Sequence, residues 1–169
     1  MINLKKIVFL LFIFVIVVAS ISNKKELLIP SNAIRVRVIA NSNDVKDQKT
    51  KIDVKNEVVS YLGSLLGNVD NYNEAHNIIN ENLNNIDDIV KKYNNDYTVS
   101  YGNNYFPQKT YRGVIFPEGY YESLVIKLGS GKGNNFWCVM FPPLCLIDEE
   151  TTSRKEYQFY FLNLLKKIK

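Results

Sequence analysis

Histidine occurs once in the 169 residues, at His76, tryptophan once and cysteine twice. A lone histidine excludes a multi-histidine metal site or a histidine relay within the chain. Net charge is also scarce. Lys and Arg number 21 against 17 Asp and Glu, a formal +4, and without Lys5 and Lys6 the basic total is 19 and the excess +2. So small and so evenly spread a surplus argues against nucleic acid as a partner. No Gly-x-Ser-x-Gly or His-Glu-x-x-His run is present, which removes two common hydrolase signatures. The carboxylate pairs Asp87 with Asp88 and Glu149 with Glu150 are sequence neighbours, so their side chains diverge on a helix or strand and read as solvated surface. What is present is ordinary globular material, 46% apolar and 22% charged, in a length suited to one domain.

The first 22 residues are of a different kind. Lys5 and Lys6 precede an unbroken apolar run from Ile7 to Val18, and Ala19, Ser20 and Ser22 supply small residues near its end. Length and flanks fit the hydrophobic region of a secretory signal, with a retained N-terminal anchor as the alternative. The expected organisation is a signal or anchor over residues 1–22, a polar tether over 23–33 and a single domain over 34–169.

Ile34, Val36 and Val38 alternate with Arg35 and Arg37, which predicts a strand with one buried face. Asn41, Ser42, Asn43 and Asp44 then offer caps for a helix. From Val45 to Leu66 the wheel places Val45, Ile52, Val59, Leu62 and Leu66 in one sector, widened by Val58 and Leu65, with Gln48, Lys51 and Lys55 inside it. Either the lysine stems lie over apolar surface with their heads in water, or a polar pocket or contact surface forms near Asn41 and Ser42. Asn71 to Glu74 has capping-box spacing, and Ala75, Ile79, Leu83, Ile86, Val90 and Tyr93 continue as a second amphipathic helix. His76 falls on the shoulder of that stripe, as a partly buried spacer.

Beyond Asn94 the pattern turns to strands: Tyr97, Val99 and Tyr101, then Ser123 to Leu128, then Phe136 to Phe141 closed by Pro142 and Pro143. Phe116 to Gly119 suits a tight turn. The tail from Glu156 reads as a last strand followed by a helical end. Gly129 to Gly133 spells Gly-Ser-Gly-Lys-Gly, but its spacing fails the phosphate-loop pattern and it lacks the following Ser or Thr. It reads as a mobile hairpin loop between two strands. Cys138 and Cys145, with six residues between them, form a bridge worth about 2 to 3 kcal/mol in an oxidising compartment, or stay two buried thiols. The architecture expected is α+β: a two-layer domain, a mainly antiparallel sheet with two long amphipathic helices on one face.

The runs IRVRVIANSN (Ile34 to Asn43), DQKTKIDVKNEV (Asp47 to Val58), FPQKTYRGVIFPEGYYESL (Phe106 to Leu124) and LGSGKGNNFWCVMFPPLCLID (Leu128 to Asp148) together resemble the stage II sporulation protein R family of endospore formers. The resemblance implies a signal made in the forespore and exported to the space between the two membranes around it. There it would trigger a membrane-embedded aspartic protease to process the mother-cell sigma-E precursor, without a catalytic site, cofactor or metal of its own. Membrane contact would run only through an uncleaved N-terminal segment.

Two surfaces are candidates for the receptor. One is the polar cluster Asn41, Ser42, Gln48 and Lys51, which resembles the family's pattern. The other is the loop from Trp137 to Cys145, with Phe141, Pro142, Pro143 and Leu144 as an apolar knuckle. The rival expectations are an exported hydrolase using Cys138 or Cys145 with His76, and an exported adaptor with another partner.

Overall fold

The computed structural model describes residues 27–28, 32–111 and 114–146, together with Glu156, Phe159, Leu162 and Asn163. The predicted signal or anchor lies outside the described residues. Among those described, no helix is long and apolar enough to cross a membrane.

The organising strand is β2 (Ile34–Ile39). It pairs in parallel with β6 (Gly119–Leu128) and antiparallel with β7 (Asn135–Phe141), while β6 pairs antiparallel along its whole length with β3 (Tyr97–Phe106). The order is therefore β3-β6-β2-β7. The fold is α+β as expected, and the sheet is mixed, with one parallel pairing at its centre. β2 is buried on both faces rather than one, since Arg35 is buried along with Ile34, Val36 and Val38.

Helix α1 (Val45–Leu66) packs on one face of this sheet. Its buried residues are Lys51, Val54, Val58, Val59, Leu62, Gly63 and Leu66, and the valines and leucines among them meet Ile34, Val36, Val38, Leu124, Ile126 and Met140 in the larger core. Val45 and Ile52 point outward, Val45 being 88% exposed, so the sector drawn through them is corrected by about a residue towards the polar side. The first two turns of α1 face the polar end of the sheet, at Gln48 and Lys51, and from Val54 onward the helix faces apolar strands.

The expected second long helix is two helices, α2 (Tyr72–Glu81) and α3 (Leu83–Lys91). Asn71 caps α2 as its spacing predicts, accepting the Glu74 N–H at 2.9 Å. The break falls at Asn82, whose amide donates to the Ile78 carbonyl at 2.8 Å while its Oδ1 accepts from Tyr61 and Asn85. An asparagine side chain that bonds a carbonyl four residues back competes with the helix ladder. The apolar periodicity survives the break, with Ile79, Ile86 and Val90 all in the core.

The other face of the sheet is covered as well, which adds a partial third layer to the two expected. A small sheet of β1 (Leu27–Leu28), β5 (Val114–Phe116) and β4 (Lys109–Tyr111) lies there in the order β1-β5-β4. It contributes Val114 and Phe116 to a second core with Phe106, Tyr121, Val139 and Leu144. Leu27 and Leu28, inside the stretch read as a tether, pair with Val114 and Ile115. In the tail, Phe159 is helical, together with Glu156, Leu162 and Asn163. The expected last strand is thus replaced there; the rest of that tail lies outside the described residues.

Because β2 separates β6 from β7, the Gly129–Asn134 segment is no hairpin: it crosses over the C-terminal end of β2. Gly129 and Gly131 take positive φ values of 53° and 65°, which suits residues without a Cβ. A Cβ on Gly133 would sit 2.1 Å from the Ser42 carbonyl oxygen, a backbone atom that cannot swing away. Gly133→Ala should therefore lower the unfolding free energy by about 1 to 3 kcal/mol, read as a reduced urea midpoint with an unchanged slope.

Candidate functional site

The polar cluster is assembled by the crossover. Asn41 is at its centre: its backbone carbonyl accepts from the Lys132 N–H at 3.0 Å and the Ser130 hydroxyl at 2.9 Å, and its Oδ1 accepts the Ser130 N–H at 2.9 Å. Gly133 N–H donates to Ala40 and Asn134 N–H to the Asn43 side chain. The Asn41 amide and the Ser42 hydroxyl both donate to Asp47 in the first turn of α1, at 2.8 and 2.7 Å. The Ser42 hydroxyl, then the Asn41 amide, hold that carboxyl below the usual carboxylate range. Asp44 is the N-cap residue but makes no side-chain cap; its N–H donates instead to the Ser42 hydroxyl.

Gln48 and Lys51 complete the group. Gln48 donates to the Ser42 carbonyl at 2.8 Å, and Lys51 donates to Gln48 at 2.7 Å and to the Asn134 carbonyl at 3.3 Å. Lys51 is only 7% exposed, and burial pushes its ammonium pKa down. The four residues singled out by sequence are therefore brought together, along with Asp47, Asn43 and the crossover loop. Their hydrogen bonds run inward, so the cluster first does the work of locking the loop to the helix start. Lys55, the third polar residue of the sector, sets its ammonium 5.2 Å from the Phe136 ring.

The second candidate surface divides. Cys138 and Cys145 are joined in a disulfide with their Cα atoms 5.7 Å apart, and the Phe141–Pro142 peptide bond is cis. Phe141 is in the larger core and Leu144 in the smaller, and Pro142 is buried with them. An exposed apolar knuckle is thus not formed by these three; only Pro143 is half-buried. The alternation along β7 and the 3₁₀ turn at Leu144–Leu146 fold the segment back onto the sheet. Trp137 remains partly accessible. Its ring lies under the Arg37 guanidinium at 4.3 Å and edge-on to Phe106 at 5.1 Å, and it lines a cavity of about 680 Å³.

A further cluster escaped the sequence reading. Glu122 on β6 faces the helix side, with its side chain 15% exposed. Tyr72 donates its hydroxyl to one carboxylate oxygen and His76 its Nδ1–H to the other, since an ionised carboxylate can only accept. The Tyr101 ring packs on His76 at 5.6 Å. Burial alone would raise the Glu122 pKa, but Tyr72, His76 and the neighbouring Tyr101 hydroxyl outweigh it and hold the group below the ordinary value. In return, burial and the carboxylate push Tyr72 up to about 12 and raise Tyr101 further. The signal available in the sequence was weak: Glu122 stands at an inward position of an alternating strand.

These contacts bear on the rival hydrolase. His76 is engaged on the β3–β6 side of the sheet, Cys138 is on β7 beyond β2, and both sulfurs are in one bond. The structure does not bring together the cysteine and histidine that this reaction would use.

A family model for stage II sporulation protein R matches residues 30–151. Among curated proteins, the chain is 35% identical over 133 residues to the stage II sporulation protein R of Bacillus subtilis (strain 168), covering 75% of this chain and 59% of that relative's length. No solved structure matches.

The Glu122 pKa is lowered on folding, so its stabilisation is fully present above the unfolded carboxylate value of about 4.3 and disappears as pH falls through the folded value. Glu122→Gln should cost about 1 to 3 kcal/mol near neutrality. The difference from wild type should shrink towards zero in denaturation curves taken below pH 4.

Proposed function

The chain belongs to the stage II sporulation protein R family, and from that premise we propose that it is an exported signalling ligand of sporulation. It is made in the forespore, crosses the membrane by its N-terminal segment and acts in the space between the two membranes. There it activates a membrane-embedded aspartic protease that processes the mother-cell sigma-E precursor. The observation that carries the reading is the match itself, which runs from before β2 to beyond the disulfide and so spans the crossover loop and both cores.

The physical demand on such a ligand is differential affinity. To take a receptor from mostly inactive to mostly active it must prefer the active state by about 10⁴-fold, near 5.5 kcal/mol. A few buried contacts at one interface can supply that. The hydrophobic N-terminal run and the oxidised cysteine pair are both in keeping with a protein that works outside the cytosol.

Co-expression of the full chain with the protease and the sigma-factor precursor in a non-sporulating host should yield processed sigma factor, and omitting the chain should leave the precursor intact. Processing no greater than this background would overturn the reading. Recovery of a different membrane protein with the tagged chain from sporulating cells would point to the adaptor instead.

A further inference from the structure

β2 directs Ile34, Val36 and Val38 to the helices, and its alternation therefore sends Arg35 and Arg37 to the opposite face. Arg35 is 2% exposed. Its guanidinium carbon lies 4.3 Å from the centroid of Phe106, 4.6 Å from Tyr121 and 5.7 Å from Phe116. Aromatic faces attract the cation but leave its in-plane N–H donors unsatisfied. Among the described residues neither Nε nor Nη1 has a hydrogen-bond partner. The ion pairs described are Lys49–Asp53, His76–Glu122 and Lys92–Glu57, and none involves Arg35. Burial lowers its pKa to about 10, so it stays charged at neutral pH. A buried, charged guanidinium with no counter-ion among the described residues is costly, and an apolar side chain of similar volume would be cheaper for folding alone.

Arg35 lines the cavity of about 680 Å³ between the main and small sheets, a volume in the range of small-ligand pockets. Trp137, Phe116 and Leu144 give it apolar walls, and the exposed Lys109 adds a second cation, its ammonium 5.8 Å from the Trp137 ring. Asn135 also lines it, and its Oδ1 is buried with no partner among the described residues. No acidic side chain is among the described residues that line it. Among the described residues, two cations, no acidic side chain and one acceptor without a partner stand beside an aromatic wall, a lining that suits an anion with a nearby N–H.

We propose that this cavity binds a carboxylate carried by a partner polypeptide, held by Arg35 and Lys109, with Asn135 accepting an N–H of the same peptide. The planar fork of an arginine matches a carboxylate in two parallel hydrogen bonds, and this geometry favours that ligand over a spherical anion. The carboxylate comes from an acidic side chain or from a chain terminus. The inference stands whether or not the receptor is the protease named above.

Trp137 is the only tryptophan of the chain, so its emission reports the cavity directly. The full chain in nonionic detergent would be titrated with a blocked tripeptide carrying a central glutamate, a neutral tripeptide with a free C-terminus, the same tripeptide amidated, and acetate. A saturable change in emission is expected with at least one of the first two, weakening with added salt, and with neither of the last two. Which of the first two binds identifies the source of the carboxylate.

Lys109→Ala should weaken binding about two- to fivefold, and Arg35→Met on the order of a hundredfold without lowering the melting temperature. Where Arg35→Met fails to fold, Arg35→Lys decides, since it keeps the charge, loses the fork and should bind more weakly. The proposal is overturned if neither carboxylate peptide binds, if acetate or the amidated peptide matches them, or if the folded Lys109 and Arg35 variants bind like wild type.

Discussion

One constraint orders this molecule: β6 and β7 are consecutive strands that lie on opposite sides of β2. The six residues between them must pass over the end of β2 and the turn that follows it. Asn41 is the peg around which they pass, with its carbonyl and its side-chain oxygen both taken up by the loop and its amide held by Asp47. Glycine at 133 is what lets the two backbones approach, because a Cβ there would run into the Ser42 carbonyl, and glycine at 129 leaves room for the Asn41 side chain. The start of α1, the position of Lys51 and the entry of β7 towards Trp137 all follow from that contact.

The two faces of the sheet are chemically unlike. On the helix side the buried core is mainly branched aliphatic, and among the described residues Lys51 and Glu122 bring charge to its margins. On the other side arginines of the central strand lie among aromatic rings. β7 divides the two environments: Phe136, beneath Lys55, and Phe141 belong to the helix side, and Trp137, beneath Arg37, to the other. Among the described strands β7 is also at the edge of the sheet, and cations over both its faces oppose pairing with a second copy along that edge.

Much of this was legible in the sequence, because period and caps are local. The Ile34–Ile39 alternation, the Val45–Leu66 helix and the Asn71 cap needed only neighbours along the chain. Gln48 and Lys51 were legible as polar residues in an apolar sector, and they do meet Ser42 and the crossover loop beside Asn41. What failed depended on residues far away in sequence. Arg35 and Arg37 looked like the wet side of a strand until Phe106, Phe116 and Tyr121 were seen to cover one of them. Phe141, Pro142 and Leu144 looked like a presentable knuckle because hydrophobicity alone cannot distinguish a contact surface from a core. Asn82 looked like one more polar residue on an outer face, and its competition with the helix backbone depends on Tyr61 from another helix.

The parallel pairing at the centre of the sheet also sets a timetable. Arg35 of β2 pairs with Ser123 of β6 and Val139 of β7, so the first large strand to emerge has both its neighbours near the end of the domain. A chain delivered N-terminus first, from a ribosome or through a translocase, holds β2 with two open edges until almost everything else has arrived. Helices can form meanwhile, but the sheet closes late and as a unit.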